Sequence, residues 1–459
     1  MDKKEMQKQQ KRNMQVGVAV VAAAVILMIL VRIAMIGMLT ASGGSGTYTH
    51  YAGPVLPMTM LSGPASIEAD RHVTFDFSPL FREKNHPLAD SQILIHDRYT
   101  LHPKDGPVQV CLAYGFQGQL TDSAEQVPQI CVNGVPAKVK LYSAVDSEEW
   151  TNRATSWEEY RDALQQNNFL AEAIAPPPEN KTPVTVYRFS QLRTMESDAQ
   201  DDSYLHISYT INREKTKVWK FGYVSEGEYE DGTIWNSVQI PAIASDFWTP
   251  NEAFLIVEGE DLANLEVDGI HGYQKSADNL DPNVSYDLER YETTFEQIVW
   301  ELAEAYGQWK QYDGSEISAY DTQSILYDGA MKRMCNERLA KRSYYSINEL
   351  FGRVVSDDRM LYWVFDVEIP SDGVVVEVVY HQEMSHEGKG KQALSEGVDL
   401  AVRLGSVLQF NALSASVQNT EKVRLVDQNF GFDLASGVCS VELDTQAERY
   451  YMKVAVQTE

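Results

Sequence analysis

The chain has 459 residues, 44% of them hydrophobic and 10% aromatic, with 39 basic and 66 acidic side chains and a net charge of −27. That hydrophobic content excludes a wholly disordered chain, and the length is enough for two or three domains with sizeable cores. The charge argues against nucleic acid and anionic lipid headgroups as partners, because so acidic a surface repels both.

The charge is unevenly placed. Up to Leu39 the only basic residues are Lys3, Lys4, Lys8, Lys11, Arg12 and Arg32, and the only acids are Asp2 and Glu5. The remainder holds 33 basic and 64 acidic residues, a net of −31. Residues 1–15 read as a basic cytoplasmic tail. Val16–Leu39 (VGVAVVAAAVILMILVRIAMIGML) is apolar except for Arg32. About 20 apolar residues cross a bilayer core, so the run from Val16 through Leu30 to Leu39 predicts one tilted transmembrane helix. Five basic residues precede it and none follows before Arg71, which puts the N-terminus in the cytoplasm and the C-terminal body outside the plasma membrane. Arg32 lies off-centre and is placed to snorkel to the outer interface; its alternative role is pairing with an acid on a partner's helix. The rival reading of the segment is a cleaved signal peptide. Such a peptide has an apolar region of only about 7–15 residues, so the length favours an uncleaved signal-anchor.

Residues 40–65 form a linker or stalk that starts with the flexible run Ala41–Gly46 (ASGGSG). Residues 66–280 read as a β-sandwich-like region. Val73, Phe75 and Phe77 alternate, as do Val108, Val110, Leu112, Tyr114 and Phe116. Asn133-Gly134 between apolar runs predicts a hairpin, since both turn residues must take positive φ. One helix is expected over 156–174, started by a Ser156/Glu159 capping box and ended by Pro176, Pro177 and Pro178. Strands follow at Val184–Phe189, Tyr204–Ile211, Lys217–Val224, Thr233–Ile240 and Ala253–Val257. Residues 281–358 read as a helical insertion: Leu288, Tyr291, Phe295, Ile298, Val299, Leu302, Tyr306 and Trp309 recur at helical spacing. Thr322–Leu339 and Ile347–Val354 should add further helices, the latter capped by Ser346 and Glu349. Residues 359–459 return to alternation, with a turn at Pro370–Gly373, and read as C-terminal sandwich strands. The expected fold is therefore mainly β with an α insertion: antiparallel β-sandwich architecture plus a helical segment, preceded by one transmembrane helix.

Chemistry is hard to find in this pattern. There is no GxSxG, HExxH, GxxxxGK or CxxC. His381, Glu383 and His386, with Glu387, form the one His/carboxylate cluster. His381 and Glu383 project from one face of a strand about 7 Å apart. Imidazole plus carboxylate suits zinc or manganese, against which stands a solvated hairpin end, the reading preferred here. Cys111 and Cys131 lie opposite the bulky residues of their strands, so a bridge across neighbouring strands is conceivable outside the cell; reduced, buried thiols are the alternative. Cys335 and Cys439 read as reduced and buried. Asp278, Asp281, Asn283 and Asp287 lack the EF-hand order and read as helix caps, with calcium binding as the alternative. Trp219, Trp235 and Trp248 are candidates for stacking on sugars, though core positions are the commoner use of Trp. No cofactor is expected.

The basic tail, anchor, small-residue linker and acidic β-rich body, together with the runs DRYTLHPKDGPVQVCLAYGF and PQICVNGVPAKVKL, resemble those of membrane-anchored extracytoplasmic β-rich proteins of Gram-positive bacteria. The resemblance implies location and architecture and no activity. It leaves three readings: a non-catalytic binding or interaction module for a protein or envelope-glycan partner, preferred here; an anchored hydrolase acting on envelope glycan or peptide; and a subunit of a membrane complex.

Overall fold

A computed structural model describes residues 47–63, 67–81, 92–120, 127–144, 154–194, 203–240, 252–312, 322–334, 344–389 and 392–456. The expected membrane segment, with Val16, Leu30, Arg32 and Leu39, lies outside the described residues, as do Cys335 and Trp248. Among the described residues no helix is long and apolar enough to cross a membrane. The described residues are mostly β, with 53% of them in strands, about twice the usual share for a globular protein. It forms several sheets, nearly all antiparallel, with few helices.

Two sheets hold the largest core between them. One is four-stranded, in the order Thr59–Ser62, Val108–Gly118, Arg359–Ile369, Lys140–Ser143. The other is seven-stranded, in the order Ser440–Leu443, Gln409–Gln418, Ile67–Asp76, Gln92–Pro103, Val374–Glu383, Gln129–Val132, Val135–Pro136. Their alternating apolar faces meet: Leu112, Tyr114, Trp363 and Phe365 from the first, Val73, Phe75, Ile95, Val376 and Val378 from the second. Arg359–Ile369 pairs with Val108–Gly118 along its whole length, from Arg359↔Gly118 to Ile369↔Val108. The strand blocks read as an early and a late region therefore interleave in one body. A third sheet, in the order Thr47–His50, Ser385–Lys389, Gln392–Ala401, Arg449–Val456, Val423–Gln428, adds Val398, Leu400, Met452 and Val454 to the same core.

The described strands of 183–294, with Tyr344–Ser346, build a second body. A five-stranded sheet (Val284–Thr294, Pro183–Thr194, Ala253–Gly259, Thr216–Phe221, Tyr344–Ser346) packs against a four-stranded one (Ser225–Glu228, Ile234–Gln239, Ser203–Thr210, Ala263–His271). Period-two alternation makes the five-stranded sheet a shared wall. Leu255 and Val257 face the second core, whereas Phe254 and Ile256 face the first, through the helices.

The helices are α1 (Trp157–Gln166), α2 (Phe169–Ile174), α3 (Phe295–Tyr312), α4 (Thr322–Met334) and α5 (Ile347–Ser356). Several departures from the sequence reading have identifiable causes, and within 40–65 the described residues are packed, with Val55 and Met58 in the core. The single helix expected over 156–174 is two, because Asn168 accepts from Ala171 N–H and starts a new helix there. Leu288 and Tyr291 sit on a strand, since Val284–Thr294 pairs with Pro183–Thr194 over its length and helix α3 begins only at Phe295. Long-range pairing overrides the helical period of that stretch. Trp219 and Trp235 take the commoner, buried use of Trp, Trp219 against Phe295 and Trp235 stacked on His206, so neither is presented for sugar stacking. The capping residues behave as expected: Ser156 accepts from Glu159 N–H and Ser346 from Glu349 N–H. Asn133 and Gly134 take φ of 49° and 76°, making the hairpin turn.

The core is pinned by one buried ion pair. Arg71 Nε and Nη2 donate to the two oxygens of Asp97 at 2.9 and 2.8 Å, and both side chains are fully buried. Arg71 also donates to Ala401 O at 2.8 Å and Leu56 O at 3.2 Å. Tyr99 donates to Asp97 at 2.7 Å and accepts from Met58 N–H at 3.0 Å. Burial alone would lower the Arg71 pKa; the facing carboxylate of Asp97 raises it instead. Arg71→Met should cost roughly 3–5 kcal/mol, because Asp97 would stay buried without a counter-charge. Arg71→Met combined with Asp97→Leu should recover much of that loss in urea denaturation; equal loss in the two variants would refute the account.

In the second body His206 is 1% exposed, bonded to Ser237 and Tyr229 at 3.2 Å each, and stacked on Trp235. Burial holds its pKa down to about 4. The unfolded chain takes up the proton near pH 6.5, whereas the folded one does so only near 4, so stability is lost as pH falls between those values. The loss should be roughly 2–3 kcal/mol, and His206→Gln should flatten melting temperature against pH over that interval.

Candidate functional site

The third sheet and α1 enclose a groove of about 400 Å³. Its floor follows from strand alternation. Val398 and Leu400 point into the core, leaving Asp399 on the opposite face; Met452 and Val454 do the same, leaving Arg449, Tyr451 and Lys453. The register sets Ala401 across from Arg449, Asp399 across from Tyr451, and Gly397 across from Lys453. Helix α1 supplies the facing wall with Trp157 and Glu158.

The segment that follows the strand Thr47–His50 closes one end. Val55 N–H donates to Asp399 O at 2.8 Å, and Ala401 N–H donates to Val55 O at 3.1 Å. Ala52 N–H donates to Ser385 Oγ at 3.0 Å. These bonds carry Tyr51 to the floor, where its hydroxyl donates to Asp399 Oδ2 at 2.7 Å. Burial, and then the Asp399 charge, raise the Tyr51 pKa. Burial also raises that of Asp399, against the opposing effects of Tyr51 and Arg449. Arg449 lies over the rings of Trp157 and Tyr451, 5.4 and 5.3 Å from their centroids. Tyr451 donates to Asp427 at 3.4 Å.

A smaller cavity of about 220 Å³ adjoins through His50 and is lined by Gln117, Asp358, His381 and Glu383. His50 Nε2 stands 3.4 Å from Glu383 Oε1, and the rings of His50 and His386 pack at 4.9 Å. The hydrogen bond from His50 is the main cause lowering the Glu383 pKa, and the same bond raises that of His50.

The sequence cluster His381, Glu383 and His386 is thus divided. The strand carrying His381 and Glu383 ends at Glu383, and Ser385–Lys389 starts in a different sheet, paired with Thr47–His50. Glu383 turns to His50, and among the described residues no group of three His, Cys, Asp or Glu is arranged to hold a metal ion. Nor do Cys111 and Cys131 meet. Cys111 lies in the four-stranded sheet opposite Asp366, Cys131 lies in the seven-stranded sheet opposite Glu377, and both are unbridged. Asp281 is 2% exposed and accepts from Ser203 and from Asn283 N–H, a buried turn anchor. Sequence reading missed the groove. Tyr51 falls in the stretch read as stalk, and the available signal was Arg449, Tyr451 and Lys453, three large polar-ended side chains on one face of a single strand.

No protein-family model, no curated protein and no solved structure matches the chain.

The His50–Glu383 pair makes a pH prediction. His50's contribution is complete below its unfolded value near 6.5 and is lost as pH rises through its raised folded value. Glu383's contribution is present above 4.5 and is lost as pH falls through its lowered value. The clasp should therefore be strongest between about 4.5 and 6.5. An NMR titration should place His50 above 6.5, and Glu383→Gln should bring it back down; a His50 value indifferent to Glu383→Gln would contradict the pairing.

Proposed function

We propose that the chain is a single-pass, membrane-anchored extracytoplasmic binding module whose groove beside Asp399 captures an envelope glycan or a segment of a partner protein. The observation that carries this reading is the groove itself. Its volume of about 400 Å³ falls within the 300–1,000 Å³ range usual for small-ligand sites. Fixed polar groups converge there: the Tyr51 hydroxyl, the Asp399 carboxyl and the Arg449 guanidinium, with Tyr451 offering an aromatic face. In this reading the anchor ends at Leu39, a few residues before the strand Thr47–His50 whose last residue lines the groove, and the site lies close to the outer membrane face. The acidic body suits a solvated exterior position.

One observation favours a second reading, an anchored hydrolase. Asp399, whose pKa is raised by burial, shares the Arg449 guanidinium with a second carboxylate, Glu158, on the opposite wall. Paired carboxylates in unlike environments are what glycoside cleavage requires.

The test uses full-length chain in nanodiscs with purified envelope glycan. Wild type should retain glycan, and Tyr451→Ala and Asp427→Asn should weaken retention about tenfold by removing the aromatic face and its hydrogen-bond partner. Retention unchanged in both variants would overturn the groove as the binding site. Release of new reducing ends by wild type, abolished in Asp399→Asn, would replace the binding module with the hydrolase.

A further inference from the structure

Resting on that reading of the groove, we propose that Arg449 anchors a single anionic group, a carboxylate or a phosphate ester, on the ligand. The guanidinium is already immobilised by the rings of Trp157 and Tyr451. Its hydrogen-bonding capacity is not absorbed by the neighbouring acids. Asp399 Oδ2 stands 3.6 Å away and Glu158 Oε1 3.9 Å away, both beyond the roughly 2.7–2.9 Å of a charge-assisted hydrogen bond. Asp399 Oδ2 is held instead by Tyr51 at 2.7 Å. A planar, stacked cation with a 27% exposed side chain and, among the described residues, donors not taken up by its two acidic neighbours is the arrangement that takes a two-oxygen anion side-on.

The floor strand also carries a glycine. Gly397 lies across from Lys453 and carries no side chain, and a Cβ there would approach Met452 O to 3.2 Å. Lys453 and His386 add further positive or protonatable groups to the lining. Glu158, Glu396, Asp399 and Asp427 line the same groove, so a polyanion is repelled and one anionic group on an otherwise neutral body is accepted. Protonation of Asp399 would remove the negative charge nearest Arg449. Burial makes that protonation easier, while Tyr51, Arg449 and Lys453 oppose it and Glu158 assists it. Anion affinity should accordingly rise as pH falls toward the acidic range.

Titration calorimetry on full-length chain in nanodiscs tests this with four probes: glucuronate, its methyl ester, glucose 6-phosphate and glucose. Glucuronate or glucose 6-phosphate should bind at least tenfold tighter than the neutral ester and glucose, and which of the two wins identifies the anion. Arg449→Gln should abolish that preference while the chain remains folded by circular dichroism, and Arg449→Lys should restore part of it. If acid and ester bind equally, or if Arg449→Gln keeps the preference, the inference is wrong. Should wild type still retain envelope glycan and lose it with Tyr451→Ala, then a missing acid preference sinks only the anion assignment. Should envelope glycan and all four probes go unbound, the groove reading falls with it.

Discussion

The buried Arg71–Asp97 pair is the constraint on which the rest of the molecule depends. Removing two charges from water is costly, and here the cost is offset because every guanidinium nitrogen of Arg71 donates to an acceptor: both Asp97 oxygens, Leu56 O and Ala401 O. Those acceptors are far apart in sequence. Asp97 is on a central strand of the seven-stranded sheet, Leu56 is in the segment after the first strand, and Ala401 ends a strand of the sheet that floors the groove. One guanidinium therefore fixes the relative position of three parts of the chain. Hydrophobic packing is non-directional and tolerates sliding, whereas these bonds do not.

That fixation reaches the groove in two steps. Ala401 is two residues from Asp399 on the same strand, and Leu56 is five residues from Tyr51. Between them Val55 bonds to both Asp399 O and Ala401 N–H. The Tyr51–Asp399 hydrogen bond is thus set by core geometry and not by a flexible surface loop. Asp399 keeps a raised pKa because the same packing excludes water from it. A site built this way loses little entropy when a ligand arrives, since the groups it meets are already held.

Legibility followed locality. Caps and turns were readable because their causes lie within a few residues: Ser156 with Glu159, Ser346 with Glu349, and Asn133-Gly134 with its positive φ pair. Strands such as Arg359–Ile369 were readable from alternation alone. Apart from the helix break at Asn168, what failed depended on partners elsewhere in the chain. Val284–Thr294 has a helical apolar period, yet it extends because Pro183–Thr194 offers it a ladder. The His381/Glu383/His386 cluster was real as composition. The chain nonetheless changes sheets between Glu383 and Ser385, and Glu383 finds His50, more than 300 residues earlier. The groove was least legible of all, since Tyr51, Trp157, Asp399 and Arg449 come from four separate stretches and no local pattern joins them.

The strand Thr47–His50 has one ladder partner among the described residues, Ser385–Lys389, and it contributes His50 to both cavities. An edge element with a single partner lies at the low end of a structure's local stability. Its docking is reinforced by side chains that also face the groove: His50 through Glu383, and Tyr51, just beyond it, through Asp399. A ligand that touches His50 or Tyr51 in their docked positions binds the docked state alone. By mass action such binding stabilises docking, and docking strengthens binding by the same factor. If the chain is anchored through the residues before Thr47, groove occupancy and the attachment of the body to its anchor segment are thermodynamically linked, with the free energy of undocking that strand as the upper bound on the coupling.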